Sequence, residues 1–309
     1  MSPLKTLKLT GHAGTAVLAL ATVYLVWGSS FLVTSIGVHQ LPPRLFSGIR
    51  FTLSGLLLLT VARLTGRRMQ LGARELRHVL VMSFCSIFVS NGLNNWAMQW
   101  VPSNQTALLN ASTSLWTAGL GTIGPRAHPL SVRVLAGLAL GLAGVALILL
   151  PGGSLPAARL WWPELGILLG CLSWSTGTIY FRSVGTELDI LSFIGTQMLL
   201  GGLMLVALGV GCGDLARWTW SVRGLAAMAY LTLFSSCIAY VAYAWLARHV
   251  PPAQAGSHGY VNPAVAALLG WLVLNETLSR SQVIGMVVIL GGIVLVSWPT
   301  RLAGLRPKG

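Results

Sequence analysis

Three polar side chains four residues apart, Thr106, Asn110 and Ser114, lie in an otherwise apolar stretch, and three more at the same spacing, Gln254, His258 and Asn262, lie in another. Four-residue spacing puts each triplet on one face of a helix. Each member stands 148 residues from its counterpart in the other triplet. In hydrocarbon an unpaired polar group is costly, so such a stripe faces either a partner helix or a water-filled cavity. The available chemistry is hydrogen bonding plus one imidazole that titrates near neutral pH. That chemistry suits reversible binding of a solute. The alternative is interhelical hydrogen bonding, which uses the same residue types. Both readings stay open at this stage, with Asn110, Ser114, His258 and Asn262 as candidate cavity walls.

Further polar and aromatic residues fall at compatible positions. Asn91, Asn94, Asn95 and Gln99 crowd one apolar run, with Asn91, Asn95 and Gln99 on a shared face. The counterpart run in the second half carries Tyr240, Tyr243 and Trp245. One wall is therefore expected to be rich in amides and the other in aromatics, with Trp27, Trp174 and Tyr180 as further rings, although some tryptophans belong at the membrane interface. Such a lining fits a small amphipathic solute with an apolar body and a hydrogen-bonding or cationic end. Amino acids and related metabolites answer that description. All six acidic residues, Glu75, Glu164, Glu187, Asp189, Asp214 and Glu276, fall in connections or at the ends of apolar runs. Arg50 and His258 are the ionisable groups inside them. Arg50 either reaches the outer surface or a carbonyl, or attracts a substrate carboxylate. If solute binding is coupled to a proton, His258 is the first candidate for the coupling group.

These residues must be held by elements that composition identifies as membrane-spanning. Of 309 residues, 54% are hydrophobic and 8% charged, against roughly 25% charged in soluble domains. Apolar runs of about 20 residues, the length that crosses a bilayer, occur near 15–38, 44–64, 78–100, 104–123, 131–150, 164–182, 188–211, 224–247, 254–274 and 281–298. The first run is about twice the length of a signal-peptide core and is read as a retained span. Ten spans put both termini on one side. That side would hold Lys5, Lys8, Arg63, Arg67, Arg68, Arg74, Arg77, Arg126, Arg133, Arg182, Arg248, Arg301, Arg306 and Lys308. The other side would hold only Arg44, Arg159, Arg217, Arg223 and Arg280. The bias predicts that both termini are cytoplasmic. The net charge of +14 is thus a topology signal, and no basic patch suited to nucleic acid is expected. The lipid bilayer and a small-molecule substrate are the expected partners, the chain being a monomer or homodimer. Cys85, Cys171, Cys212 and Cys237 show no paired spacing and are expected to serve packing.

The two halves align at offsets of 147 to 149: Trp27 on Trp174, Trp96 on Trp245, Val101-Pro102 on Val250-Pro251, Gln105 on Gln254 and Gly137 on Gly285. Five spans per half means that the second copy enters the membrane inverted, as in many secondary transporters. The expectation is an all-α membrane protein of ten transmembrane helices in two inverted five-helix repeats, residues 1–150 and 151–309. Glycines 137, 141 and 144 in span 5 and 285, 291 and 292 in span 10 are expected to let those two helices approach closely, away from the cavity.

With Val26-Trp27-Gly28-Ser29-Ser30-Phe31, Pro42-Pro43 before Arg50-Phe51, Ser173-Trp174, and Tyr260-Val261-Asn262-Pro263 through Glu276-Thr277-Leu278-Ser279 to Gly285, the chain resembles EamA-type members of the drug/metabolite transporter superfamily, in particular the YedA-like exporters. The resemblance spans nearly the whole chain. It implies export of small metabolites by alternating access through a central cavity, in a bacterial inner membrane; Ser30, beside Trp27, joins the candidate substrate-binding residues. One departure is visible. The family pattern puts Pro and Glu at the end of the corresponding helix in both halves, whereas this chain has Pro263 and Glu276 in the second half but Leu115 and His128 in the first.

Other classes fit less well. Gly211-Cys212-Gly213-Asp214 matches the string of intramembrane aspartyl proteases, but their chemistry needs a second membrane-embedded Asp, and Asp189 lies near the opposite surface. Ala255-Gly256-Ser257-His258-Gly259 lacks the strand-to-helix turn of a nucleophile elbow. The sequence shows no metal-ligand cluster, phosphate loop or nucleotide motif, so neither a cofactor nor an enzyme is expected. A channel or facilitator remains the runner-up, although a narrow pore calls for rings of like groups.

Overall fold

The computed structural model describes residues 3–67, 72–121, 132–149, 161–184, 189–249 and 258–297. Among these residues the chain is helical, with no strand. The first half contains α1 (Pro3–Gln40), α2 (Pro43–Leu64), α3 (Ala73–Met82), a π-helical stretch Ser83–Asn91, α4 (Gly92–Ala97), α5 (Ser103–Ala111), α6 (Thr113–Leu120) and α7 (Val132–Leu149). The second half contains α8 (Trp162–Val184), α9 (Ile190–Gly211), a short 3-10 turn Asp214–Arg217, α10 (Val222–Tyr230), a second π-helical stretch Leu231–Ala239, α11 (Tyr240–His249), α12 (His258–Leu274) and α13 (Arg280–Ser297). Five segments are long and apolar enough to cross a membrane: Gly14–Gln40, Pro43–Leu64, Ala73–Ala97, Ile190–Gly211 and Val222–Leu246. Leu135–Leu147, Val261–Leu274 and Arg280–Gly292 are shorter apolar helices.

The repeat is written into the element boundaries. α2 and α9 are both 22 residues long and start 147 residues apart; α7 and α13 are both 18 residues long and start 148 apart. The two nine-residue π-helical stretches also start 148 apart. Equivalent helices pack on each other antiparallel at glycine crossings. A Cβ on Gly55 would lie 2.7 Å from the Gly195 carbonyl, and one on Gly202 would lie 2.9 Å from the Gly48 carbonyl. A Cβ on Gly144 would come within 2.7 Å of the Gly285 carbonyl, and one on Gly292 within 2.6 Å of that of Gly137. The contacts are reciprocal and each pair runs antiparallel. The expected approach of spans 5 and 10 is thus seen, except that Gly291 faces open space. The tighter crossing, between α2 and α9, is one that the sequence reading passed over.

Ion pairs clip both ends of the α2–α9 pair. Arg44 grips Asp214 through Nε at 2.8 Å and Nη2 at 2.7 Å, and Arg67 reaches Asp189 at 3.4 Å. Asp189 also caps α9 by accepting from the Leu191 amide. Asp214 is fully buried in these contacts. The polarity of the bundle is inside out. Leu53, Leu56, Leu57, Val61, Leu203, Val210, Phe234 and Trp271 face outward, while Ser47, Arg50, Ser54, Asn95, Gln105 and Gln197 are buried. Lipid, not water, matches that outer surface.

Two expected spans deviate from a plain α-helix. The run 78–100 and its counterpart 224–247 each contain a π-helical stretch, which leaves carbonyls out of α register. The first helix of the opposite half supplies donors to them: Ser173 Oγ to the Cys85 carbonyl at 2.9 Å, and Trp27 Nε1 to the Ser235 carbonyl at 3.2 Å. The run 104–123 is broken between α5 and α6. There the Ser112 amide and hydroxyl both donate back to the Leu109 carbonyl, a three-residue turn in place of the α bond.

Candidate functional site

The halves interlock, because α1 packs against α10, α11 and α12 while α8 packs against the helices flanking the first π-helical stretch. This places α1 of the first half beside α11 and α12 of the second. Their aromatic residues meet. The Trp27 ring lies 5.1 Å from Tyr243 and 5.2 Å from His258, which are themselves 5.2 Å apart. Tyr240 stands edge-on to Trp27 at 5.5 Å, and Trp174 lies 6.1 Å beyond Tyr240. Four of the expected residues, Trp27, Trp174, Tyr243 and His258, are thus brought into one cluster around Tyr240. Ser30 sits one turn along α1, donating to the Trp27 carbonyl at 2.7 Å.

Next to the cluster lie the polar stripes. Asn110 Nδ2 donates to Asn94 Oδ1 at 2.6 Å and to the Thr106 carbonyl at 2.9 Å, and the Cys171 thiol points at Asn110 Oδ1 from 3.6 Å. Ser114 lies against the first turn of α12, where a Cβ on Gly259 would be 3.2 Å from its Oγ. Asn262 is buried, and its Oδ1 has no hydrogen-bond partner among the described residues. An orphaned buried acceptor is costly, and here it sits one turn beyond His258. Gln254 lies outside the described residues.

The other amides divide. Asn91 donates to the Ser86 carbonyl at 2.7 Å, filling a register gap of the π-helical stretch. Asn95 donates to Ser47 Oγ and ties α4 to α2. Both amides are thus engaged within the bundle. Gln99 donates to the Trp96 carbonyl and lines a cavity of about 440 Å³. That cavity lies among Ser35, His39 and Gln40 of α1, Met98–Pro102, Arg223, Leu274 and Glu276. Tyr180 is not part of the cluster. Its hydroxyl meets His78 Nδ1 at 2.6 Å near the opposite end of the bundle.

Two arrangements escaped the sequence reading. Glu276 caps the first turn of α5: Oε1 accepts from the Ser103 amide at 2.8 Å, and Oε2 accepts from Ser103 Oγ at 2.8 Å and the Asn104 amide at 3.0 Å. A carboxylate at a helix N-terminus is favoured by the exposed amides and the helix dipole. It joins the end of α12 to the start of α5, across the two halves. The equivalent His128 lies outside the described residues. Beside this cap a polar chain runs from buried Glu164 and Gln105 to half-buried Gln282: Gln105 Nε2 donates to Glu164, and Gln282 Nε2 to Gln105 Oε1 at 3.0 Å.

Comparison with known proteins is consistent with this geometry. Residues 14–150 and 161–298 each match the model of the EamA-like transporter family. The chain is 34% identical over 292 residues to the uncharacterized inner membrane transporter YedA of Escherichia coli K12, covering 94% of this chain and 92% of that protein. It is 22% identical to the uncharacterized transporter YoaV of Bacillus subtilis, covering 90% and 95%. One protein crystal structure superposes with a TM-score of 0.64 at 20% identity, covering 91% of this chain and 96% of that one, which speaks for the fold.

Proposed function

The chain belongs to the EamA-like transporter family, and from that premise we propose that it is a ten-span secondary transporter that exports small amphipathic metabolites, amino acids or related compounds among them, by alternating access. The two halves, residues 1–150 and 151–309, rock about a site walled by Trp27, Ser30, Trp174, Tyr243, His258, Asn94, Asn110, Ser114 and Asn262. The observation that carries this reading is the ring cluster Trp27–Tyr243–His258, drawn from both halves at the point where they interlock. A site shared by two inverted halves changes its exposure when one half moves against the other. Rings 5 Å apart give the solute's body an apolar and cation-accepting bed, while the Asn94–Asn110 pair and the orphaned Asn262 oxygen offer exchangeable hydrogen bonds.

On the charge bias of the connections, both termini are cytoplasmic and the chain resides in a bacterial inner membrane. The 440 Å³ cavity at the C-terminal end of α1 is then an outer vestibule, and Gln99 belongs to that vestibule and not to the central site. Counterflow of labelled amino acids into proteoliposomes tests the reading. Asn110→Ala, His258→Ala and Asn262→Ala should each slow exchange of a solute that the parent protein carries. Unchanged exchange in all three removes the site. If no amino acid exchanges but another amphipathic metabolite does, the substrate class is revised.

A further inference from the structure

Arg50 sits seven residues into α2, about 10 Å from its end along the helix axis, and retains only 6% exposure. Its side-on edge is occupied: Nε donates to Ser236 Oγ at 3.0 Å and Nη2 to Ser235 Oγ at 3.2 Å. Both serines belong to the second π-helical stretch, and the guanidinium carbon lies 4.6 Å from the Phe51 ring centroid. The end-on fork formed by Nη1 and the second N–H of Nη2 has no protein acceptor among the described residues. No carboxylate there pairs with Arg50: the described ion pairs belong to Arg44, Arg67 and Arg217. The ionisable groups within its electrostatic reach are Tyr240 and Cys237, both neutral at pH 7.

A buried cation without a counter-charge is expensive, and two serine hydroxyls do not neutralise it. The same serine links it to the ring cluster, since Ser235 Oγ accepts from Arg50 while the Ser235 carbonyl accepts from Trp27 Nε1. Around this junction the Tyr240 hydroxyl and Thr232 Oγ1 are buried with no hydrogen-bond partner among the described residues. A neutral structural tie would leave none of these groups idle. An anionic head group reaching past Trp27 would engage the Arg50 fork and the Tyr240 hydroxyl.

We propose that the central site takes solutes bearing a carboxylate, which docks on the end-on fork of Arg50 with the Tyr240 hydroxyl as second donor. A planar carboxylate matches that fork in bidentate geometry. The solute's apolar or ammonium portion then lies on the Trp27, Tyr243 and His258 rings. This assignment rests on the transport reading above and names its substrate class.

The test is counterflow by the full-length protein in proteoliposomes, using labelled acid and amide pairs: L-leucine with L-leucinamide, L-phenylalanine with L-phenylalaninamide, and 3-phenylpropanoate with 3-phenylpropanamide. At least one acid should exchange with a kcat/KM about tenfold or more above its amide, the worth of a charge-assisted hydrogen bond. Arg50→Gln should abolish that preference and Arg50→Lys should keep part of it. Tyr240→Phe, which deletes an unpartnered hydroxyl, should leave the melting temperature unchanged or raised and still weaken acid exchange several-fold. The proposal is overturned if amides exchange as well as their acids, or if the preference persists in Arg50→Gln. Should Arg50→Gln fail to fold, an unaltered preference in both Arg50→Lys and Tyr240→Phe overturns it instead. Exchange of amides without acids, or of another amphipathic metabolite when no acid exchanges, leaves the transport reading standing and removes the Arg50 assignment, whereas absence of exchange for every solute removes both.

Discussion

Glu276 is a carboxylate near one end of the bundle, and its geometry assigns it to structure. Replacing it by Gln keeps the shape and one acceptor oxygen. The carboxylate accepts three hydrogen bonds, one on Oε1 and two on Oε2. The amide can accept on one side only, and on the other it presents N–H to either the Ser103 amide or the Asn104 amide and Ser103 hydroxyl. The loss comprises at least one charge-assisted hydrogen bond, a newly unpaired donor at the start of α5 and the helix-dipole interaction. These sum to about 2 to 4 kcal/mol. Glu276→Gln should therefore lower the apparent melting temperature of the purified protein by on the order of 5 °C or more. Counterflow measured below the transition, normalised to folded protein, should keep its pH profile. Gly270→Ala gives an independent check, because its Cβ would fall 2.4 Å from Glu276 Oε2 and push the carboxylate off its cap. If Glu276→Gln melts with the parent protein but loses pH-dependent transport, the cap is irrelevant and Glu276 is a coupling group.

The glycine crossings give a second expectation. Gly202→Leu puts side-chain atoms where a Cβ alone is 2.4 Å from the Thr52 amide nitrogen, and should cost about 1 to 3 kcal/mol or more, read as loss of the monodisperse peak in size exclusion. Breaking the Arg44–Asp214 pair, in which the carboxylate is fully buried and the guanidinium partly exposed, by Asp214→Asn should destabilise by about 1 to 3 kcal/mol, and the joint replacement Arg44→Met with Asp214→Leu should recover most of the melting temperature. A double-mutant cycle on Asn94→Ala and Asn110→Ala should show a coupling of about 1 kcal/mol; purely additive losses would mean that their 2.6 Å contact contributes nothing.

What the sequence revealed follows from what the repeat repeats. Polar stripes 148 residues apart and glycines at the same offset are patterns of identity and spacing, so the two halves and the α7–α13 crossing could be read directly. The α2–α9 crossing was equally readable, since Gly48 and Gly55 stand 147 residues from Gly195 and Gly202. The π-helical stretches were not, because Ser83–Asn91 and Leu231–Ala239 look like ordinary apolar helix, and the extra residue per turn is sustained by donors on helices far along the chain. The sequence pattern also grouped Trp27, Tyr243 and His258, whose rings lie together, whereas Tyr180 lies apart from them against His78, because helical phase says nothing of depth along α8. The link of Arg50 to Ser235 and Ser236 spans about 185 residues, and the Glu276 cap joins residues 172 to 173 apart. Neither leaves a local signal. The sequence placed Glu276 correctly at a helix end, while the helix that it caps is another one.

A site that opens to each side of the membrane in turn exposes Ser30 to each side in turn. Ser30 is half-buried one turn from Trp27, so Ser30→Cys in a background lacking Cys85, Cys171, Cys212 and Cys237 reports on the site. Labelling of oriented vesicles by a membrane-impermeant maleimide, applied from either side, should reach this thiol from both, and a transported solute should slow it from both, with no electrical conductance. Reaction from both sides unaffected by any solute, together with conductance far above carrier turnover, would contradict alternating access and describe a channel.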